Sequence, residues 1–109
     1  MARAATTTDV FSAVAEPTRR QLLKLLLTGE RAVNDLVAAL GLTQPQVSKH
    51  LKVLREVGLV TPRDEGRQRL YRLNGAALEP MHDWLKAFEQ TWQQRFDALD
   101  ELLVELEER

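Results

Sequence analysis

Cysteine is absent from all 109 residues. That removes disulfides, thiolate metal sites, nucleophilic thiols and thiol-based redox sensing together. Histidine occurs twice, as His50 and His82, and neither has a serine placed to form a nucleophile and base. No Gly-rich phosphate loop occurs among the five glycines. An enzyme is therefore not expected, nor is a cofactor. No run approaches the ~18 apolar residues of a membrane span, and MARAATTTDV has no signal-like apolar stretch. These features predict a cytoplasmic protein without a membrane partner.

Net charge is also nearly absent, at −1 with a pI near 6.1, but the charge is unevenly spread. From Glu16 to Asn74 there are 11 Lys and Arg against 6 Asp and Glu; from Gly75 to Arg109 there are 3 against 9. One region is suited to a polyanion, and another faces away from it. At this length, residues 1–109 read as one domain.

The stretch Leu42–Pro62, LTQPQVSKHLKVLREVGLVTP, carries the clearest helical signal. Thr43 suits an N-cap, Pro45 the first turn and Gly58 the left-handed residue that ends a helix. Val47, Leu51, Leu54 and Gly58 step by four, three and four and define an inward stripe. Lys49, Lys52 and Glu56 fall opposite, with Gln46 and Ser48 on the flanks. Thr43, Gln44, Gln46, Ser48, Lys49 and Lys52 are side chains that contact phosphates and base edges, and glutamine can pair bidentately with adenine. A solvated amphipathic face is the plain alternative.

The preceding AVNDLVAAL, Ala32–Leu40, predicts a short helix with Val33, Leu36, Val37 and Leu40 on one face, followed at once by Gly41. Helix, glycine turn and polar-faced second helix make a helix-turn-helix, whose second helix enters a major groove. Beyond it, Leu59–Arg63 and Arg67–Leu73 flank Asp64-Glu65-Gly66, which reads as a hairpin, or wing, over 59–73. Arg67, Gln68 and Arg69 at its tip are candidate contacts to a minor groove or to phosphate. Tyr71 is expected in the core.

SKHLKVLREVGLV followed by RDEGRQRLYRLN resembles the second helix and wing of ArsR/SmtB-type bacterial winged helix-turn-helix repressors, and AEPTRRQLLKLLL resembles an earlier helix of that family. The similarity is close over Val10–Asn74 and looser over the C-terminal segment. It implies a double-stranded DNA partner. The family's thiolate metal site lies on the helix before the turn, where this chain reads AVNDLVAAL. The resemblance is thus to members lacking metal-binding cysteines. A second family site needs two spaced imidazoles, and His82-Asp83 with Glu89 is a thin remnant of it, so no metal is expected.

Asp9–Ala15 predicts a first helix with Val10, Phe11 and Val14 apolar. Pro17 opens a second, made central by Leu22, Leu23, Leu25, Leu26 and Leu27, with Gly29 closing it. Arg19 and Arg20 oppose the dipole of its first turn. Either a phosphate contact or a salt bridge, to Glu16 or to the acidic C-terminal segment, would explain them. His50, beside the core stripe, is expected to be semi-buried or to touch phosphate.

From Ala76 onward the chain reads as one long helix. Met81, Leu85, Phe88, Trp92, Phe96, Leu99, Leu103 and Leu106 form a heptad-like seam with one four-residue insertion. It spans close to 40 Å, too long for a domain of this size to cover alone. A homodimer is expected, and the resemblance implies an interface of the first and last helices: Val10, Phe11, Val14, Met81, Leu85, Phe88, Trp92, Phe96, Leu99 and Leu103.

The reading is mainly α with a small β-hairpin: a winged helix-turn-helix with a DNA-binding core at 16–74 and a C-terminal dimerisation helix at 75–109. Its function is sequence-specific repression at a palindromic operator near its own promoter, with the inducer, a ligand or a partner protein, unspecified. Two alternatives stand beside it. One is a ligand-sensing repressor with an aromatic pocket near Trp84, Phe88 and Trp92; the other is a protein-interaction module without DNA binding.

Overall fold

The computed structural model describes residues 9–108; the opening residues read for a leader, 1–8, lie outside them. The elements are α1 (Val10–Val14), α2 (Pro17–Leu25), a 3-10 turn (Leu26–Thr28), β1 (Arg31–Ala32), α3 (Val33–Leu40), α4 (Gln44–Glu56), β2 (Val60–Glu65), β3 (Gln68–Leu73), a second 3-10 turn (Gly75–Leu78) and α5 (Glu79–Glu107). They divide into two units, one ending at Leu78 and one starting at Glu79.

The first unit is built around apolar stripes that the helical period places on single faces. Leu22, Leu23 and Leu26 from the α2 region, Leu36 from α3, and Val47, Leu51 and Leu54 from α4 meet Ala13, Leu59, Val60 and Tyr71 in one buried core. Leu27 does not join it and stands 69% exposed, because α2 stops at Leu25 and the 3-10 turn rotates Leu27 outward.

Asp9 and Ser12 close a capping box that starts α1. Arg19 and Arg20 have a role that neither expectation named. Arg19 donates from Nε to the Ala13 carbonyl (2.6 Å) and from Nη2 to that of Ser12 (3.2 Å), while Arg20 donates to Val14 (2.8 Å) and Ala15 (3.0 Å). These carbonyls lie where α1 ends, and among the described residues only that of Ser12 also accepts a backbone N–H, from Ala15 (3.3 Å); a cation there compensates the negative end of the helix dipole. The two arginines lock the end of α1 to the start of α2.

The helix-turn-helix runs from α3 to α4. Ala32 is the N-cap of α3 rather than its first residue. Val47, Leu51 and Leu54 are fully buried, as their spacing requires. Gly58 closes α4 at φ +79°. Its N–H donates to Arg55 (3.0 Å) and that of Leu59 to Leu54 (2.9 Å), the bond pair of a Schellman motif with Leu59 and Leu54 as its apolar clasp. A Cβ at Gly58 would meet nothing within 4 Å, so substitution costs backbone strain alone. Gly58→Ala is expected to destabilise by about 1–2 kcal/mol and lower Tm by about 4–15 °C in a thermal melt, with Gly58→Asn milder.

The sheet is antiparallel with order β1-β3-β2. Sequence reading gave the hairpin but not β1, which pairs Arg31 with Tyr71 and Ala32 with Leu70. The hairpin is tighter than expected: Asp64 and Glu65 belong to β2, Glu65 opposes Gln68, and the turn is Gly66-Arg67, with Gly66 at φ +60°. Pro62 is tolerated because β2 is an edge strand. Asn74 fastens the base of the wing, donating from Nδ2 to the Gly58 carbonyl (2.9 Å) and from its backbone to Leu59 (2.8 Å).

The second unit is α5, which begins after a 3-10 turn and not at Ala76. Its 29 residues extend about 43 Å. None of them is buried, and Trp84, Phe88, Trp92, Phe96, Leu99, Leu103 and Leu106 are each between 43% and 60% exposed. Leu102 and Val104 widen the apolar surface beyond the expected seam. Among the described residues no helix is long and apolar enough to cross a membrane.

Candidate nucleic-acid interface

The N-terminus of α4 is set by a reciprocal capping box. Thr43 Oγ1 accepts from the Gln46 N–H (3.3 Å), and Gln46 Oε1 accepts from the Thr43 N–H (2.9 Å) and hydroxyl (3.1 Å). This occupies two of the residues expected at DNA. With its Oε1 held, Gln46 retains only its amide donors and cannot make a bidentate pair with adenine without opening the cap. Gln44, exposed at the first position of the helix, is held by no such bond.

The wing and α4 enclose a trough of about 450 Å³, lined by Gln44, Ser48, Lys52 and Arg55 of the helix and by Arg69 and Tyr71 of β3. A smaller hollow of about 170 Å³ adjoins it at the wing tip. It shares Gln44 and Arg69 and adds Asn34, Arg67 and Gln68. Six expected contact residues, Gln44, Ser48, Lys52, Arg67, Gln68 and Arg69, are thus brought together. Thr43, Gln46 and Lys49 do not line either space. Asn34 and Arg55 line them without having been expected. Arg55 continues the steps of four, four and three that run from Gln44 through Ser48 and Lys52, so its placement was available from periodicity. Asn34 comes near only through tertiary folding.

The electrostatics of the two wing faces differ. Arg69 and Tyr71 share one face of β3, the guanidinium 5.9 Å from the ring centroid and its Nε 3.8 Å from Asp64 Oδ1. On the other face Arg63 forms a bidentate pair with Glu30, Nε to Oε2 at 3.0 Å and Nη2 to Oε1 at 2.5 Å, and also reaches Glu65 (3.1 Å). The hydrogen bond from Arg63 holds the Glu30 carboxyl below its ordinary range. Positive charge is therefore balanced on that face; on the trough face, among the described residues, only Asp64 approaches, beside Arg69, and it does not line the trough.

His50 is half-buried, its Nδ1 3.5 Å from Arg19 Nη1 and 3.7 Å from Glu16 Oε2. Partial burial raises the Glu16 carboxyl, but the Arg19 N–H bond and the His50 charge outweigh it and leave the group below its ordinary range. On α5, a hollow lined by His82, Leu85, Lys86, Glu89 and Trp92 takes in one of the three aromatics of the expected ligand pocket; the other two, Trp84 and Phe88, meet with tilted rings, their centroids 4.9 Å apart. His82 Nδ1 lies 3.4 Å from Asp83 Oδ1. No group of three or more metal-ligating side chains occurs among the described residues.

A helix-turn-helix whose recognition helix and β-wing share a positively lined trough defines a winged helix-turn-helix regulator that binds DNA. Residues 16–61 match the family described as "Bacterial regulatory protein, arsR family". The chain is 30% identical over 80 residues to the transcriptional repressor SdpR of Bacillus subtilis, covering 73% of this chain and 89% of that protein. It is 43% identical over 65 residues to the HTH-type transcriptional repressor SmtB of Mycobacterium tuberculosis, covering 60% of this chain and about half of that protein, 48%. The solved ArsR-like transcriptional regulator from Rhodococcus sp. RHA1 superposes with a TM-score of 0.64 at 29% identity, covering 85% of this chain and 88% of the other. The chain belongs to the arsR family of transcriptional regulators, which are DNA-binding proteins and not enzymes.

Proposed function

We propose that the protein is a cytoplasmic homodimeric repressor that binds a two-fold symmetric operator near its own promoter and blocks transcription by occupying it. The observation that carries this reading is the trough between α4 and the wing, which three cations line and no carboxylate does. Gln44 and Ser48 face base edges, Lys52, Arg67 and Arg69 face phosphates, and Lys49 reaches the backbone from the outer side of α4. Thr43 and Gln46 serve first to fix the helix start. The exposed apolar face of α5 supports pairing with a second copy, together with Phe11 of α1, which is 38% exposed, while Val10 and Val14 also pack on the core of their own unit. A two-fold dimer offers two recognition helices to successive major grooves.

The test is binding to a labelled fragment of the protein's own upstream DNA and to an unrelated fragment of equal length, across salt. A preference of about a thousandfold or more that weakens steeply with salt is expected. Gln44→Ala should lower affinity for the operator by about tenfold or more and leave the unrelated fragment unchanged. Equal, salt-insensitive binding to both fragments would favour a protein-interaction module instead.

A further inference from the structure

We infer that Arg55, in the last turn of α4, is a DNA phosphate-binding residue, and that a strand of the duplex backbone lies along the trough between α4 and the wing. This rests on the DNA-binding reading above and extends it to the far end of the recognition helix, beyond the residues that helix-turn-helix geometry places at base edges.

The placement is the first argument. Arg55 lines the same trough as Ser48, Lys52, Arg69 and Tyr71. Ser48, Lys52 and Arg55 rise along one stripe of α4 over about 10 Å, so the trough is followed along its length by donors and not by one isolated charge. Arg69 approaches from the wing, and cations of two separate elements therefore converge on one concave space. Lys52, Arg55 and Arg69 offer the trough ammonium and guanidinium donors, groups that proteins turn toward phosphate, while Gln44 and Ser48 at its other end are left to base edges.

The second argument is what the arginine does otherwise. Arg19, Arg20 and Arg31 spend their guanidinium groups on backbone carbonyls, and Arg63 on Glu30 and Glu65. Among the described residues the Arg55 guanidinium makes no hydrogen bond or ion pair, and the residue is exposed. Its neighbour Glu56 does not line the trough. An arginine left without a protein acceptor beside two other cations gains most from an external anion with several acceptor oxygens, and repeated phosphates supply these in register.

The competing role is local: a cation in the last turn of a helix interacts favourably with the dipole. Such a role acts on folding and is blind to DNA. Arg55→Gln separates the two, read by fluorescence anisotropy on the operator and on unrelated duplex across salt, beside a thermal melt. Expected are an equal fall of about tenfold to a hundredfold on both duplexes, a slope of log K against log salt shallower by about 1.8, one phosphate contact being lost from each protomer of the dimer, and an unchanged Tm. Arg55→Lys should restore the slope, since it restores the charge. An unchanged slope overturns the inference, whether or not Tm falls. A loss confined to the operator overturns it as well, because that is base reading. Wild-type protein whose binding is insensitive to salt on both duplexes overturns the DNA-binding reading and this inference together, whereas steep wild-type binding unaltered by Arg55→Gln removes this inference alone.

Discussion

Replacing Trp92 and Phe96 together by glutamate is expected to yield a monomeric chain with operator affinity reduced by about a hundredfold to ten-thousandfold. Both residues lie on the α5 seam and are substantially exposed, at 44% and 60%. In the proposed dimer that surface would be covered, and two carboxylates placed there would be stripped of water with no cation supplied to pair them. The affinity loss follows from valency. With both half-sites engaged by one dimer, binding of the second recognition helix is intramolecular, with an effective concentration far above any protein concentration in the assay; a monomer forfeits that term without losing a single DNA contact. Light scattering across a dilution series and operator titration of the same samples check it. The first unit should keep its melting behaviour at concentrations where wild type is itself monomeric, which separates a broken interface from a broken fold. A fully dimeric double variant would move the interface off this face of α5.

Much of this architecture is legible because its determinants are local. Val47, Leu51 and Leu54 announce a buried stripe through spacing alone, and Gly58 announces its own φ because a left-handed residue at a helix end is costly for anything else. The reciprocal cap at Thr43 and Gln46 has a recognisable sequence form, Ser or Thr followed three residues later by Glu or Gln. That form already commits the Gln46 Oε1 to the cap and not to a bidentate pair with adenine. What is not legible is set by distant partners. β1 is two residues long, too short for a period of two to register, and exists only because Tyr71 and Leu70 pair with it. The hairpin turn sits at Gly66-Arg67 because Val60 pairs with Leu73 and Pro62 with Tyr71; the register follows from which side chains the core accepts, and burial of Tyr71 shifts Asp64 and Glu65 into the strand. Arg19 and Arg20 looked anomalous at a helix N-terminus because the helix they serve is the preceding one, whose end is brought beside them by the chain reversal at Ala15 and Glu16. The trough itself belongs to this second class, since α4 and β3 supply its walls from separate parts of the sequence.

Leu51→Ala is expected to destabilise the first unit by about 2–5 kcal/mol. Leu51 is fully buried at the centre of α4, in the core that also holds Leu22, Leu36, Leu54, Leu59 and Tyr71. Removing its isopropyl group loses transfer free energy and leaves a hole bounded by α2, α3 and the base of the wing, elements too tightly linked to collapse into it. A unit of this size has a total stability near 5 kcal/mol, so the variant should melt roughly 10–30 °C lower and be largely unfolded near physiological temperature at the upper end of the range. Leu51→Met keeps the volume and should cost under about 1.5 kcal/mol. The contrast with DNA binding is the informative part. Leu51 is fully buried and does not line the trough, so below its melting transition the alanine variant should bind operator with the wild-type salt slope, while Arg55→Gln does the reverse, melting normally and losing slope. Core and interface are adjacent faces of one thirteen-residue helix, their stripes roughly 90° apart at about 100° per residue. If Leu51→Ala alters the salt slope while still folded, the two faces are coupled through the helix position, and the α4 stripe sets the docking angle as well as the stability.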